Sequence, residues 1–410
     1  MIRLTSPAFG EPAPAFIART SANARFVFKS VGGRFIILGF YNSLSTAFGQ
    51  KLQAAMLSIR PLLDDQNLCY FGVSNDPDDE SQGRVADSIP GVRYFWDFDR
   101  TVSALYGAQG ASGANGVSNM GSVSAIPGAN AMHAVGGGAD VKSGAKGGNH
   151  SDGHFHQMVY VLDPMLRVVA RFDYGPDSTD FEPLLALIRS LPKIGPAYLA
   201  PLQAPVLVVP RVFEPGLCQA LIDYYHRHDS EDSGFMREVD GMTVGMIDYS
   251  HKKRRDCQIE DEDLRGSCMR RIHNRLLPEI EKAFQFKANR IERYIVANYD
   301  GAEQGHFRAH RDNTTPGTAH RKFAVSLFLN SGEYEGGYLR FPEFGSALYA
   351  APTGGAVVFS CSLLHEATPV IAGRRYMFLP FLYDEAAGKI RDQNASTIID
   401  ESELQAQKDT

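Results

Sequence analysis

The segment HFRAHRD places His310 and Asp312 two residues apart. On an extended strand such a pair projects from one face, so an imidazole and a carboxylate share adjacent corners of a potential metal site. His-x-Asp alone is a weak pattern; His150 and Asp152 form a decoy inside a glycine-rich stretch with no strand to aim them. The pattern gains weight from His365, which follows the apolar run GGAVVFSCSLL and opens another strand-like segment. Two imidazoles and one carboxylate on facing strands would hold a six-coordinate divalent ion such as Fe(II) on one side, leaving three positions open. Ten residues further on, Arg375 in GRRYMFLPF offers a planar guanidinium that stays charged when buried and can grip a carboxylate with two parallel hydrogen bonds.

These residues need a barrel of short strands. From Tyr294 onward the apolar pattern has period two, in RYIVANY, HFRAHRD, FAVSLFLN, GGYLRFPEF, GGAVVFSC, HEATPV and RYMFLPFLYD. Preceded by two helical patterns, Glu214 to His226 and Leu264 to Phe284 (apolar at Leu264, Met269, Ile272, Leu276, Ile280 and Phe284), this predicts a jelly-roll core buttressed by helices. The proline-spaced stretch Leu191 to Pro205 reads as a domain boundary, and the polar tail after Asp384 as loosely held.

The carboxy-terminal motifs YDGAEQGHFRAHRDN, VSLFLNSGEYEGGYLRFPEFG, PTGGAVVFSCSLLHEATPV and GRRY, over about 293–385, closely resemble the 2-oxoglutarate- and Fe(II)-dependent dioxygenases of the prolyl 4-hydroxylase-like branch. The resemblance implies that His310, Asp312 and His365 hold Fe(II) and that 2-oxoglutarate chelates it. It implies that Arg375 pairs with the distal carboxylate of the cosubstrate. O2 would be consumed, 2-oxoglutarate converted to succinate and CO2, and an unactivated C–H bond hydroxylated, with ascorbate as a possible reductant. A prolyl or other amino-acid residue, in a peptide, a protein or a small molecule, is the leading substrate class. The carboxylate at 312 speaks against the halogenases of that superfamily, which carry a small residue there. Tyr299 matches a tyrosine that reaches the cosubstrate in relatives, with core packing as the competing reading. Arg374 should turn to the opposite face from Arg375. His306 and His320 read as ordinary polar residues near the mouth, Gly336 and Gly337 as backbone requirements, and Cys361 as a small buried hydrophobe. Ser230 to Glu260 is a candidate substrate wall, and its run Lys252, Lys253, Arg254, Arg255 reads as a solvated face.

The amino-terminal half carries GEPAPAF, GGRFIILGFYNSLSTAF and VRYFWDFDRTVSALYGA, and over about Phe9 to Leu191 resembles the peroxiredoxin branch of the thioredoxin fold. A hairpin-like pair (Phe26 to Lys29, Phe35 to Tyr41), a helix from Ser45 to about Leu63, strands at Leu68 to Val73 and Arg93 to Phe98, a hairpin turning at Asp163-Pro164, and a helix from Asp180 to about Leu191 describe the α/β sheet. The family's proline, threonine and reactive cysteine fall on Asn42, Thr46 and Gly49, so only the threonine is kept. Cys69, the one cysteine of this half, lies in a strand pattern where burial is the default. No thiol peroxidase activity is expected. A thiol-dependent redox protein and a non-enzymatic peptide-binding scaffold are the alternative readings. His150, His154 and His156 read as solvated surface rather than a metal site.

Composition sets the outer bounds. A chain of 410 residues has room for two or three domains, and 44% hydrophobic with 21% charged residues is ordinary for a globular protein. With 41 basic against 47 acidic residues the net charge is -6 and neither half is basic, so no nucleic-acid partner is expected. The start does not read as a secretory signal, no stretch is long and apolar enough for a membrane span, and five cysteines without a CxxC pair suit neither a disulfide framework nor a thiolate zinc site. A cytoplasmic location without membrane association follows. Of the 39 glycines, 12 lie between Gly107 and His150, which reads as an insertion at 107–152. The expected organisation is an α/β thioredoxin-like domain over 1–195 and a double-stranded β-helix (jelly-roll) oxygenase domain over 206–386, followed by a polar tail at 387–410. A homodimer through the thioredoxin-like domain is a further expectation.

Overall fold

The computed structural model describes residues 6–109, 155–175, 177–178 and 180–399. The glycine-rich insertion from residue 110 on, with His150 and His154, lies outside the described residues. The chain divides into two compact units, Met1–Ala197 and Tyr198–Thr410.

In the amino-terminal unit a five-stranded sheet runs in the order Val92–Trp96, Leu68–Ser74, Phe35–Asn42, Gln157–Leu162, Val168–Tyr174. The first three strands are parallel and the last two pairings antiparallel. Phe35–Asn42 is buried along nearly its whole length, as a strand covered on both faces must be, so its sequence FIILGFYN shows no alternation. One face packs Phe48, Leu52 and Met56 of the helix Ala47–Ser58 and Leu184 and Ile188 of the helix Glu182–Ser190. The other packs Phe16, Phe28, Phe71, Phe95 and Tyr106.

Two expectations are corrected in this unit. Phe26–Val27 pairs with Ile17–Ala18 and not with Phe35–Tyr41. Phe28 turns into a 3-10 helix, where it stacks on Phe16 with ring centroids 4.4 Å apart, and burying these aromatics outweighs a hairpin. The helix expected to reach Leu63 stops at Ser58, because Pro61 cannot supply a helical N–H and the chain tightens into the 3-10 turn Arg60–Leu62.

Gly49 lies in the first turn of the helix Ala47–Ser58, where Thr46 caps by accepting the Gly49 N–H at 3.0 Å. A Cβ at this position would lie 2.4 Å from the Ser43 carbonyl oxygen and 3.1 Å from Thr46 Oγ1. The backbone leaves no room for a side chain at this position. Gly49→Cys should therefore destabilise the unit by about 1–3 kcal/mol, as overpacking does, without conferring peroxide consumption. Denaturant titration with a peroxide assay checks this, and rapid peroxide turnover by the variant would show that the cradle is intact. Cys69 is 1% exposed and burial pushes its thiol up to about 12, which leaves little thiolate to react.

The carboxy-terminal unit is built around two larger sheets. One runs Arg290–Glu292, Phe381–Tyr383, Phe323–Phe328, Val370–Phe378, Ile295–Asp300, Arg255–Gln258, Glu231–Asp232, with Ala356–Ser360 paired to Phe323–Phe328 and to Leu207–Val209. The other runs Lys252–Lys253, His306–His310, His365–Ala367, Leu339–Arg340, Leu348–Tyr349. Helices Pro215–Arg227, Glu262–Arg271 and Leu277–Phe284 contribute Leu221, Cys268 and Ile280 to a core shared with Val325, Leu327 and Phe378 of the first sheet.

The single helix expected over 264–284 is interrupted by a π-helical turn, Ile272–Leu276, immediately before Leu277-Pro278, whose proline lacks the N–H that a regular ladder needs. Met269 is exposed and not in the core. The tail is folded through 399: a helix spans Glu385–Gln393, and Ile398–Ile399 pairs in parallel with Thr243–Val244. Asn394 donates a side-chain N–H to the Pro316 carbonyl at 2.8 Å, which ties this segment to the loop after Asp312. Among the described residues no helix is long and apolar enough to cross a membrane.

Candidate metal centre

His310 closes the strand His306–His310, and its Cα partner on the neighbouring strand is His365. A register shift between Phe307 and His310 brings the two histidines opposite each other. The expected strand through Asp312 ends two residues earlier. Asp312 instead sits in the following bend, where its N–H donates to the Cys361 carbonyl at 3.0 Å and brings the carboxylate back over the histidines.

The three ligand atoms lie within 4.8 Å of one another. Asp312 Oδ1 is 3.5 Å from His310 Nε2, and Oδ2 is 3.3 Å from His365 Nε2. Each histidine uses its other nitrogen on the backbone, Nδ1 of His310 donating to the Arg308 carbonyl at 2.7 Å and Nδ1 of His365 to the Leu363 carbonyl at 3.0 Å. That tautomer leaves both Nε2 lone pairs directed at the common point, the arrangement a metal requires. Burial pushes His365 down to about 4; Asp312 opposes this and His310 adds to it. Burial would raise the Asp312 carboxyl, but His365 and His310 outweigh it and hold the group well below the usual carboxylate range. At neutral pH the carboxylate and the His365 imidazole are therefore already in their metal-binding protonation states. Phe307 stacks on His310 at 3.5 Å and Phe359 lies 4.5 Å from His365, which fixes both ring planes.

The triad opens into a cavity that Tyr299, Arg375, Arg254, Arg293 and Ser326 also line. Arg375 is 1% exposed, and its Cα partner across the sheet is Tyr299. Its guanidinium carbon lies 4.9 Å from the Tyr299 ring centroid and 5.3 Å from that of Phe328. Nε and Nη2 of Arg375 have no hydrogen-bond partner. Two donors left unpaired at such depth have the chemistry to receive an anion. Gly337 makes room for it: its φ is +64°, and a Cβ there would lie 2.6 Å from Arg375 Cδ. Arg374 points outward and binds Asp300 at 3.0 Å.

Residues 294–383 match the family model of the 2OG-Fe(II) oxygenase superfamily. Residues 294–383 of the carboxy-terminal unit form a 2OG-Fe(II) oxygenase domain. Its cofactors are Fe(II), 2-oxoglutarate and O2, and the His-Asp-His set with the unpaired Arg375 donors has the chemistry to receive the first two. The chain is similar in structure to a prolyl hydroxylase from Trichoplax adhaerens solved with a hypoxia inducible factor peptide fragment (17% identity, 47% of this chain and 87% of that one, TM-score 0.35). It is also similar to a Pseudomonas putida prolyl-4-hydroxylase (17% identity, 45% and 94%, TM-score 0.33) and to the Xanthomonas campestris bacterioferritin comigratory protein, studied for alkyl peroxide reduction (14% identity, 45% and 98%, TM-score 0.30).

Several residues of the oxygenase domain stand elsewhere than expected. His320 is not at the mouth. It is 2% exposed and bound to Glu292, which Arg321 also grips at 2.6 Å. His306 binds the carbonyls of Gln304 and Ser250. The run Lys252 to Arg255 is not a solvated face: Lys252 and Arg254 are buried while Arg255 is exposed, the alternation a strand imposes on any sequence. Arg254 thereby reaches the cavity, donating from Nη1 to the Tyr299 hydroxyl at 3.3 Å. Tyr299 is packed, at 3% exposed, and also lines the cavity.

Glu343 was also not visible from the sequence. Its carboxylate accepts from Arg311, next to Asp312, at 2.7 Å and from the backbone N–H of Leu364, next to His365, at 3.0 Å. One side chain thus ties the two ligand-bearing loops together. Glu343→Ala should weaken Fe(II) binding roughly tenfold, the lower end for groups that orient a metal's ligands, with stability nearly unchanged because the pair is half exposed. Anaerobic titration with Fe(II) or Co(II) reads the effect; an unchanged affinity would make the contact incidental.

Proposed function

We propose that His310, Asp312 and His365 hold Fe(II), that Arg375 and Tyr299 receive the distal carboxylate of 2-oxoglutarate, and that the enzyme hydroxylates an unactivated C–H bond of a prolyl or other amino-acid residue. The observation that carries the reading is the Arg375 guanidinium, buried and unpaired in the same cavity as the triad. Bound iron and cosubstrate supply the oxidising chemistry, with succinate and CO2 as coproducts. The protein's own part is positioning. The two imidazoles and one carboxylate occupy a single face and leave the opposite side open to ligands. Arg375 anchors the far end of the cosubstrate through charge-assisted bonds in a water-poor site, while Phe307 and Phe359 wall the histidines with apolar surface.

The strand arrangement supports a jelly-roll reading of the oxygenase domain, and the mixed five-stranded sheet supports a thioredoxin-like reading of the amino-terminal unit. The test is a succinate-release screen of the Fe(II)-loaded full chain, with and without ascorbate, against proline-containing peptides, free amino acids and cell extract. Substrate-dependent succinate is expected. Failure of the folded chain to bind Fe(II) or 2-oxoglutarate would overturn the reading.

A further inference from the structure

The wall of the cavity carries more positive charge than iron and cosubstrate need. Arg254, Arg293 and Arg375 line it, with Lys252 and Arg321 directly behind, against only Asp256, Glu292 and Asp312. Ferrous iron and 2-oxoglutarate cancel each other's charge, so the loaded cavity keeps two positive charges in excess. Burial pushes the Lys252 ammonium well down, and counting it as neutral still leaves one.

The excess is centred on the wall that Asp256 serves. There Asp256 Oδ2 alone serves Arg254 Nη2 at 2.6 Å, Arg293 Nη2 at 3.1 Å and the Ser233 hydroxyl at 2.6 Å. The Arg254 side chain is 4% exposed, and its Nε has no partner. One carboxylate thus faces two guanidinium groups, and an anionic ligand would supply the second counter-charge. Arg254 precedes the strand Arg255–Gln258 and Arg293 precedes the strand Ile295–Asp300, and the Tyr299 ring centroid is 5.7 Å from the Arg254 guanidinium carbon and 4.9 Å from that of Arg375.

We infer that Arg254 and Arg293 form a second anion subsite, distinct from that of Arg375, and that the group to be oxidised belongs to a molecule carrying a carboxylate. This rests on the oxygenase reading above. The carboxylate could be the α-carboxylate of a free or carboxy-terminal amino acid, or an acidic side chain within a peptide; a planar carboxylate suits the guanidinium fork in both.

The experiment loads the full chain with Mn(II) and 2-oxoglutarate and titrates it calorimetrically with N-acetyl amino acids and with the matching N-acetyl amides. The aspartyl and glutamyl amides keep a side-chain carboxylate and so separate the two sources. The best carboxylate-bearing probe should bind at least about tenfold more tightly than its neutral counterpart. Arg293→Gln, at a partly exposed position, should erase that preference and leave 2-oxoglutarate affinity within about twofold, with Arg293→Lys restoring part of it. Arg254→Gln, titrated with the same probes, reads the preference independently should Arg293→Gln fail to fold. Neutral amides binding as tightly as acids, no binding by any probe, or loss of 2-oxoglutarate rather than probe affinity in the variants would each overturn the subsite. Failure of the wild-type chain to bind 2-oxoglutarate, measured first, would instead overturn the oxygenase reading.

Discussion

Asp312→Ala should lower succinate formation at least a thousandfold, about 4 kcal/mol of transition-state stabilisation, while the chain remains folded. The carboxylate is the one negative charge among the three ligand atoms, and without it two neutral imidazoles remain to hold a dication. The side chain also aligns its partners, since its two oxygens stand 3.5 and 3.3 Å from the two Nε2 atoms. Stability should change little. The pull of Asp312 on His365 is upward, against the effect of burial, so removing it leaves His365 more firmly neutral and leaves no buried charge unpaired at that spot. A loss of activity with an unchanged circular dichroism spectrum and melting temperature therefore reports on the metal site. Succinate production within tenfold of wild type would sink the assignment of Asp312 as a ligand. Asp312→Asn, which keeps an oxygen in place but removes the charge, separates alignment from charge: recovery by Asn but not Ala would make geometry the larger contribution.

The chemistry was legible in the sequence wherever a residue type is chemically obligatory at a fixed place along a strand. Arg375 turns inward and Arg374 outward as strand alternation directs, and the geometry brings His310, His365 and Arg375 to one cavity with Asp312. Residues whose role depends on a distant partner were not legible. Nothing in the local sequence around Glu343 says that it will reach both Arg311 and the Leu364 N–H, because that contact exists only once two loops meet. His320 looked like a surface residue until Glu292, on another strand, supplied a buried acceptor.

Lys252 to Arg255 was misread for a different reason. Its composition suggests solvent, while its backbone periodicity demands that alternate side chains turn inward, and periodicity prevailed because the neighbouring Asp256 provides an anion at the depth Arg254 reaches. Helix ends failed at prolines. Pro61 and Pro278 each removed one backbone donor, and the local tightening or widening that results is a small energy term that the apolar pattern does not register.

Arg375→Met should weaken 2-oxoglutarate binding by roughly a hundredfold to a thousandfold, the cost of removing one partner from a buried charge pair. Methionine keeps an unbranched apolar side chain between Tyr299 and Phe328, reaching about as far as the arginine Nε, but has no donor to offer. The unliganded protein should respond in the opposite direction. In wild type the Arg375 guanidinium is buried with Nε and Nη2 unpaired, so replacing it with an apolar group removes a desolvation cost, and the cofactor-free variant should be at least as stable as wild type. The two effects separate in a thermal melt with Mn(II). At a cosubstrate concentration near a hundred times Kd, binding stabilises the wild-type protein by about 2.7 kcal/mol, or roughly 5–10 °C for a domain of this size, and the same concentration should leave the variant almost unmoved. Gly337→Ala offers an independent route to the same group: its Cβ would press on Arg375 Cδ at 2.6 Å, displacing the guanidinium while leaving its charge intact. If Arg375→Met lost stability without cosubstrate and still gained the full increment with it, the arginine would be a structural residue and the anion would be held elsewhere in the cavity, where Arg254 and Arg293 are the remaining candidates.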